Sequence, residues 1–139
     1  MSDFVEVKTA ELLGAALDWA VLFSAYGDGP DWRLIDGAIY IVSLRDVMVG
    51  MDGIDQAEYI DPFHPSTRWQ DGGPIIENLG ICILQYMEGS CADNKNTWTA
   101  CARDLEDYYD SPTPLIAACR AVVASKLGVQ VSIPAELVK

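Results

Sequence analysis

With 139 residues, half of them hydrophobic, and a slightly positive mean hydropathy, the chain can bury a core and is too apolar to stay a solvated coil. Nine basic against 21 acidic residues give a formal net charge of −12, which argues against nucleic-acid binding through a basic face. Its apolar runs fall short of the roughly 20 residues that span a bilayer, and the acidic start MSDFVEVK lacks the basic region of a secretory signal, so a cytoplasmic protein is expected.

FVEVKT, residues 4–9, alternates like a short strand, and Thr9 offers an N-cap for a helix over 10–25. In that helix Leu12, Leu13, Ala16, Leu17, Ala20 and Val21 share an apolar face, and Gly27, Gly29 and Pro30 end it. AIYIVSL, residues 38–44, is β-rich and reads as a strand or a loop insertion. GMDGIDQAEYIDPFHP, residues 50–65, is acidic and turn-rich, so 31–62 are expected to form an irregular insertion or loop region. A second helix starts near Ser66 and runs through Ile75, Ile76 and Leu79 to Gly80. The run Gly72-Gly73-Pro74 should distort or restart it.

ICILQYM (81–87) and TWTACAR (97–103) predict an antiparallel hairpin, and the acidic DLEDYYD after them reads as a solvated turn. The last helix is the clearest element. Thr113 caps it, Pro114 suits its first turn and Gly128 follows its end, with Leu115, Ile116, Cys119, Val122, Val123 and Leu127 as the buried side. VQVSIP then runs extended. These elements predict an α+β fold, a small antiparallel sheet packed by helices in an α-β-α sandwich-like single domain over 1–139. A sheet covered on one side leaves apolar surface, so a homo-oligomer is expected.

Catalytic chemistry is hard to find. Cys82, Cys91, Cys101 and Cys119 are spaced too irregularly for a CxxC metal site, and a reducing cytosol disfavours structural disulfides. His64 is the only histidine, and it adjoins a proline. Asp104, Glu106, Asp107 and Asp110 read as a solvated run rather than an acid–base pair. Neither GDG nor DGG has the spacing or lysine of a phosphate loop, and Asp52 with Asp55 lacks a calcium ladder. No enzyme activity, metal or cofactor is expected.

Binding has better material. Ser66 and Thr67 place hydroxyls at a predicted helix start, where the helix dipole favours an anion. Trp69 offers a stacking face, and Gly72 and Gly73 permit close backbone approach. Arg120 lies in an otherwise apolar helix and needs a partner: a ligand phosphate gripped bidentately, an ion pair with one of the many acids, or a helix C-terminal bond. Together these six residues define the expected ligand-binding set, while Trp19 and Trp98 read as core.

Three stretches carry a family resemblance: LLGAALDWAV (12–21), HPSTRWQDGGPIIE (64–77) and SPTPLIAACRAVVASKLG (111–128). In this order they resemble the signatures of the NinX-like family of tailed phages and prophages. A looser similarity links Ser66, Thr67, Pro114, Leu115 and Arg120 to small phage α-β-α sandwich domains. The chain departs from that pattern at Arg68, where an acid is expected, and in a longer 31–62 segment. The resemblance implies a phage accessory protein acting in the cytoplasm of an infected bacterium. We expect counter-defence through a non-catalytic sponge for a nucleotide-derived small molecule. The alternative is an acidic decoy for a basic groove on a host defence nuclease or CRISPR-type complex.

Overall fold

The computed structural model describes residues 3–27, 31–51, 53–85, 98–102 and 108–138. The last helix, α3 (Pro114–Leu127), organises the rest. It starts where Thr113 turns extended and its Oγ1 accepts the Ile116 N–H at 3.2 Å, and it stops at Gly128, whose φ is +94°. Leu115 and every residue from Ala117 to Ala124 are buried, so the helix is covered all round, as a central helix must be. The sequence placed its buried side on one face; the structure buries the whole circumference.

Around α3 pack α1 (Gly14–Tyr26), α2 (Trp69–Leu79) and a sheet of β5 (Cys82–Gln85), β6 (Trp98–Cys101) and β7 (Tyr109–Ser111). Small buried residues, Ala16 and Ala20 on α1 and Ala117, Ala118 and Ala121 on α3, suit a close helix pair. The expected antiparallel pairing is present, with Cys82 opposite Cys101 and Gln85 opposite Trp98; the connection, residues 86–97, lies outside the described residues. The stretch read as a solvated turn adds a third strand: Tyr109 packs inward opposite Ala100, and Asp110 faces Thr99. Of that stretch, residues 104–107 lie outside the described residues.

Residues 31–62 correct the expectation of an irregular region. They form an antiparallel meander of β2 (Asp31–Ile35), β3 (Ala38–Val49) and β4 (Gly53–Pro62). Asp36 and Gly37 both take positive φ at the first turn, the conformation that matches a two-residue hairpin to strand twist. The acidic residues suggested a loop, but on this largely exposed sheet they sit within a strand, Asp55 and Asp61 on one face of β4 and Glu58 on the other. Two of them form exposed cross-strand pairs, Arg33–Glu58 at 2.6 Å and Arg45–Asp61 at 2.7 Å. Ile39 is fully buried near α1, whereas Leu44, Met48 and Ile54, farther along, are largely exposed.

Two local expectations also change. Thr9 does not cap α1, whose first residues follow an extended Leu13. Instead its N–H bonds Val129 O at 2.8 Å and its hydroxyl bonds Gly128 O at 2.7 Å. This seats β1 (Phe4–Lys8) beside β8 (Gln130–Pro134) in an antiparallel ribbon. Nor does Gly72-Gly73-Pro74 interrupt α2, which is continuous to a left-handed Gly80. Pro74 forfeits one helical hydrogen bond on an exposed flank, while Ile75 anchors the same turn in the core. Among the described residues, three α-helices and three antiparallel sheets therefore make up an α+β fold, in place of one sheet.

Candidate functional site

The turn before α2 is held from below by a buried carboxylate. Asp18, on α1, is 5% exposed and accepts the Ser66 N–H at 2.9 Å. The Ser66 hydroxyl also lies toward it, but without the geometry of a hydrogen bond, so the N–H is the bond that counts. Burial raises the Asp18 carboxyl above the usual carboxylate range; Ser66 and then His64 pull it back, and Asp71 adds to the rise. His64 Nδ1 lies 3.9 Å from Asp18, and the His64 N–H donates to Asp71 Oδ2 at 2.9 Å. The loop thus reaches both helices through carboxylates.

Ser66 and Thr67 belong to this turn and not to the helix cap, which is Arg68, with no side-chain bond. Both line a shallow recess of about 290 Å³ together with Trp69, Thr113, Pro114, Leu115 and Ile116. The structure therefore brings three of the expected ligand residues together, and Trp69 is 54% exposed there. Gly72 does permit a close approach, but what approaches is the chain itself. A Cβ at Gly72 would stand 2.6 Å from Pro65 O and 3.0 Å from Leu115 Cδ2. Gly73 has open space around it.

Arg120 does not join that recess. Its Nε donates to Leu12 O at 3.0 Å and its Nη1 to Asp110 O at 2.8 Å, with the residue 8% exposed. Burial lowers the pKa of its guanidinium. These hydrogen bonds go to main-chain carbonyls at the entry to α1 and on β7, partners that sequence reasoning did not foresee.

A larger recess, about 520 Å³, opens where α1, the start of β2 and the β1–β8 ribbon meet. Phe4, Trp19, Phe23 and Trp32 line it with Leu22, Leu127 and Val131, and Gln130 and Ser132 add polar groups. Trp19 stacks on Phe23 with ring centres 5.4 Å apart and planes 17° from parallel. Trp32 and Phe4 each meet Trp19 edge-on at 6.3 Å. Sequence reasoning assigned Trp19 to the core, and it is indeed buried, but it also forms a wall of this opening. The signal was present in the pair Trp19 and Phe23, one helical turn apart, with Trp32 beyond the turn.

Among the described residues, no group of three or more His, Cys, Asp or Glu side chains could hold a metal. No described helix is long and apolar enough to cross a membrane. The fold is that of an α+β domain built around one central helix, with an aromatic opening on its flank. The chain belongs to the family described as Bacteriophage P22, NinX, whose profile matches residues 8–126, and it is a phage accessory protein. No curated protein matches it.

Proposed function

We propose that the protein is a counter-defence factor in the cytoplasm of the infected bacterium, sequestering a nucleotide-derived small molecule without transforming it. The observation that carries this reading is the aromatic recess of about 520 Å³, a size typical of small-molecule sites. A base ring would lie against Trp19, Phe23 and Trp32, with its polar edge toward Gln130 and Ser132. Lys8 stands opposite Gln130 in the ribbon and Glu6 opposite Ser132. That mixed rim suits a nucleoside portion better than a chain of phosphates. The recess at Ser66, Thr67 and Trp69 is the alternative seat.

Native mass spectrometry of protein from phage-challenged cells tests the proposal, reporting any retained metabolite and the subunit number together. A homo-oligomer remains part of it, with the exposed Leu44, Met48 and Ile54 as apolar surface to cover. With adenosine and AMP as probes, tryptophan fluorescence should report binding that Trp32→Ala weakens at least tenfold and Trp69→Ala leaves unchanged. The reverse pattern moves the site to the start of α2, and a flat response from both probes with no retained metabolite removes the sponge.

The second reading rests on charge. A net charge of −12 would let an acidic face occupy a basic groove on a host nuclease or CRISPR-type complex. Such an association weakens steeply with added salt, whereas ring stacking in a recess does not.

A further inference from the structure

Cys82 and Cys101 are directly opposed in the antiparallel ladder of β5 and β6, so both side chains leave the same face of the sheet. Both thiols are free; Cys82 is exposed and Cys101 partly exposed. Directly opposed residues in such a ladder have Cα atoms about 4.5–5.5 Å apart, whichever type of pair they form. A disulfide requires about 4.4–6.8 Å, so the two windows overlap fully.

A second observation places the pair at the head of a row. Continuing the β6–β7 register one step beyond Ala100–Tyr109 sets Tyr108 opposite Cys101. Tyr108 is exposed, and its neighbours, Cys101 foremost, hold the pKa of its hydroxyl above the usual value. Two residues along the same face, the Thr99 hydroxyl is buried without a hydrogen bond. Cys119 is a contrast: it is 2% exposed within α3, and burial, with Asp18, pushes its thiol far up.

We propose that Cys82 and Cys101 form a dithiol modification site that closes to an intramolecular disulfide by exchange with a low-molecular-weight disulfide such as oxidised glutathione. The exposed Cys82 thiolate attacks one glutathione sulfur, forming a mixed disulfide and releasing the first glutathione. The Cys101 thiolate then attacks the Cys82 sulfur, forming the cross-strand bond and releasing the second. Two electrons pass from the protein dithiol to the glutathione disulfide, and the two thiol protons end on the released glutathiones. In a reducing cytosol the site stays open, and a shift toward oxidised glutathione closes it.

The test treats the folded full-length chain, with Cys91→Ser to remove that thiol, with excess oxidised glutathione. Lys95 and Arg103 flank Cys101, so trypsin separates it from Cys82. The expected result is loss of both thiols, an intact mass lower by a pair of hydrogens, and a peptide joining Cys82 to Cys101. Cys101→Ser should leave a lasting glutathione adduct on Cys82, which shows that the second thiol resolves the first. A lasting adduct on Cys82 with Cys101 present, a link to Cys119, or no reaction where the unfolded chain is fully oxidised would overturn the proposal.

Discussion

Arg120 and Asp18 show how single side chains in this molecule tie separate segments together. Arg120 donates to Leu12 O and Asp110 O, so Arg120→Ala removes both bonds at once. The variant should lose about 2–4 kcal/mol in urea unfolding, with the recess at Trp69 unaffected. Asp18 obeys a different sign. Its carboxyl titrates higher in the fold than in the unfolded chain. The stability it contributes is therefore fully present below the unfolded value and is lost as pH rises through the folded one. Asp18→Asn keeps an acceptor for the Ser66 N–H without a buried charge. It should match or exceed the parent at neutral pH, and its advantage should shrink as pH falls through the carboxylate range, measured by denaturant midpoints. Asp18→Ala, which leaves that N–H without its acceptor, should lose about 1–3 kcal/mol. An arginine's need for a partner was legible in the sequence. Which partner was not, because Leu12 lies 108 positions away and nothing local to α3 points to it.

At the scale of elements, the glycine pair in α2 separates two roles that look alike in a string of letters. Gly72→Ala drives a methyl into Pro65 O and Leu115, between α2 and α3, and should cost about 1–3 kcal/mol. Gly73→Ala meets nothing within 4 Å and should stabilise by about 0.5–1 kcal/mol, since it removes backbone freedom from the unfolded chain. Thermal unfolding of the two variants should move in opposite directions. α3 was readable because its signals are local: Thr113, Pro114 and Gly128 mark both ends within one short segment. The meander was not, because β3 and β4 define each other only through pairing, and Asp55, Glu58 and Asp61, three residues apart, leave β4 without a clean alternation of polar and apolar positions. Thr9 was misread for the converse reason. A threonine ahead of a helical pattern is a good local cap, but two carbonyls at the end of α3 compete for it and win.

For the whole molecule, the −12 charge works against compaction. Among the described residues Arg33 pairs with Glu58 and Arg45 with Asp61 on exposed surface, but 9 basic against 21 acidic residues leave an excess of 12 negative charges whatever the pairing. Raising monovalent salt should therefore raise the melting temperature progressively at neutral pH, as screening shortens the range of repulsion to about 8–10 Å. A flat or falling response would mean that local pairs outweigh the global excess. The three family stretches were visible in the sequence because each lies in a segment that helps to build the core. The aromatic recess was not, since α1, β2 and the terminal ribbon supply its walls from distant parts of the chain.

The ribbon of β1 and β8 also bears on how the protein is made. A ribosome delivers Phe4–Lys8 long before their partners Gln130–Pro134. Until those late residues clear the exit tunnel, the opening strand has no ladder, Thr9 has no carbonyls to bind, and one wall of the aromatic opening is missing. Closure of the ribbon therefore waits for the synthesis of β8. A nascent chain stalled before residue 130 should remain open to proteolysis at its leading end, even with its central helices already formed.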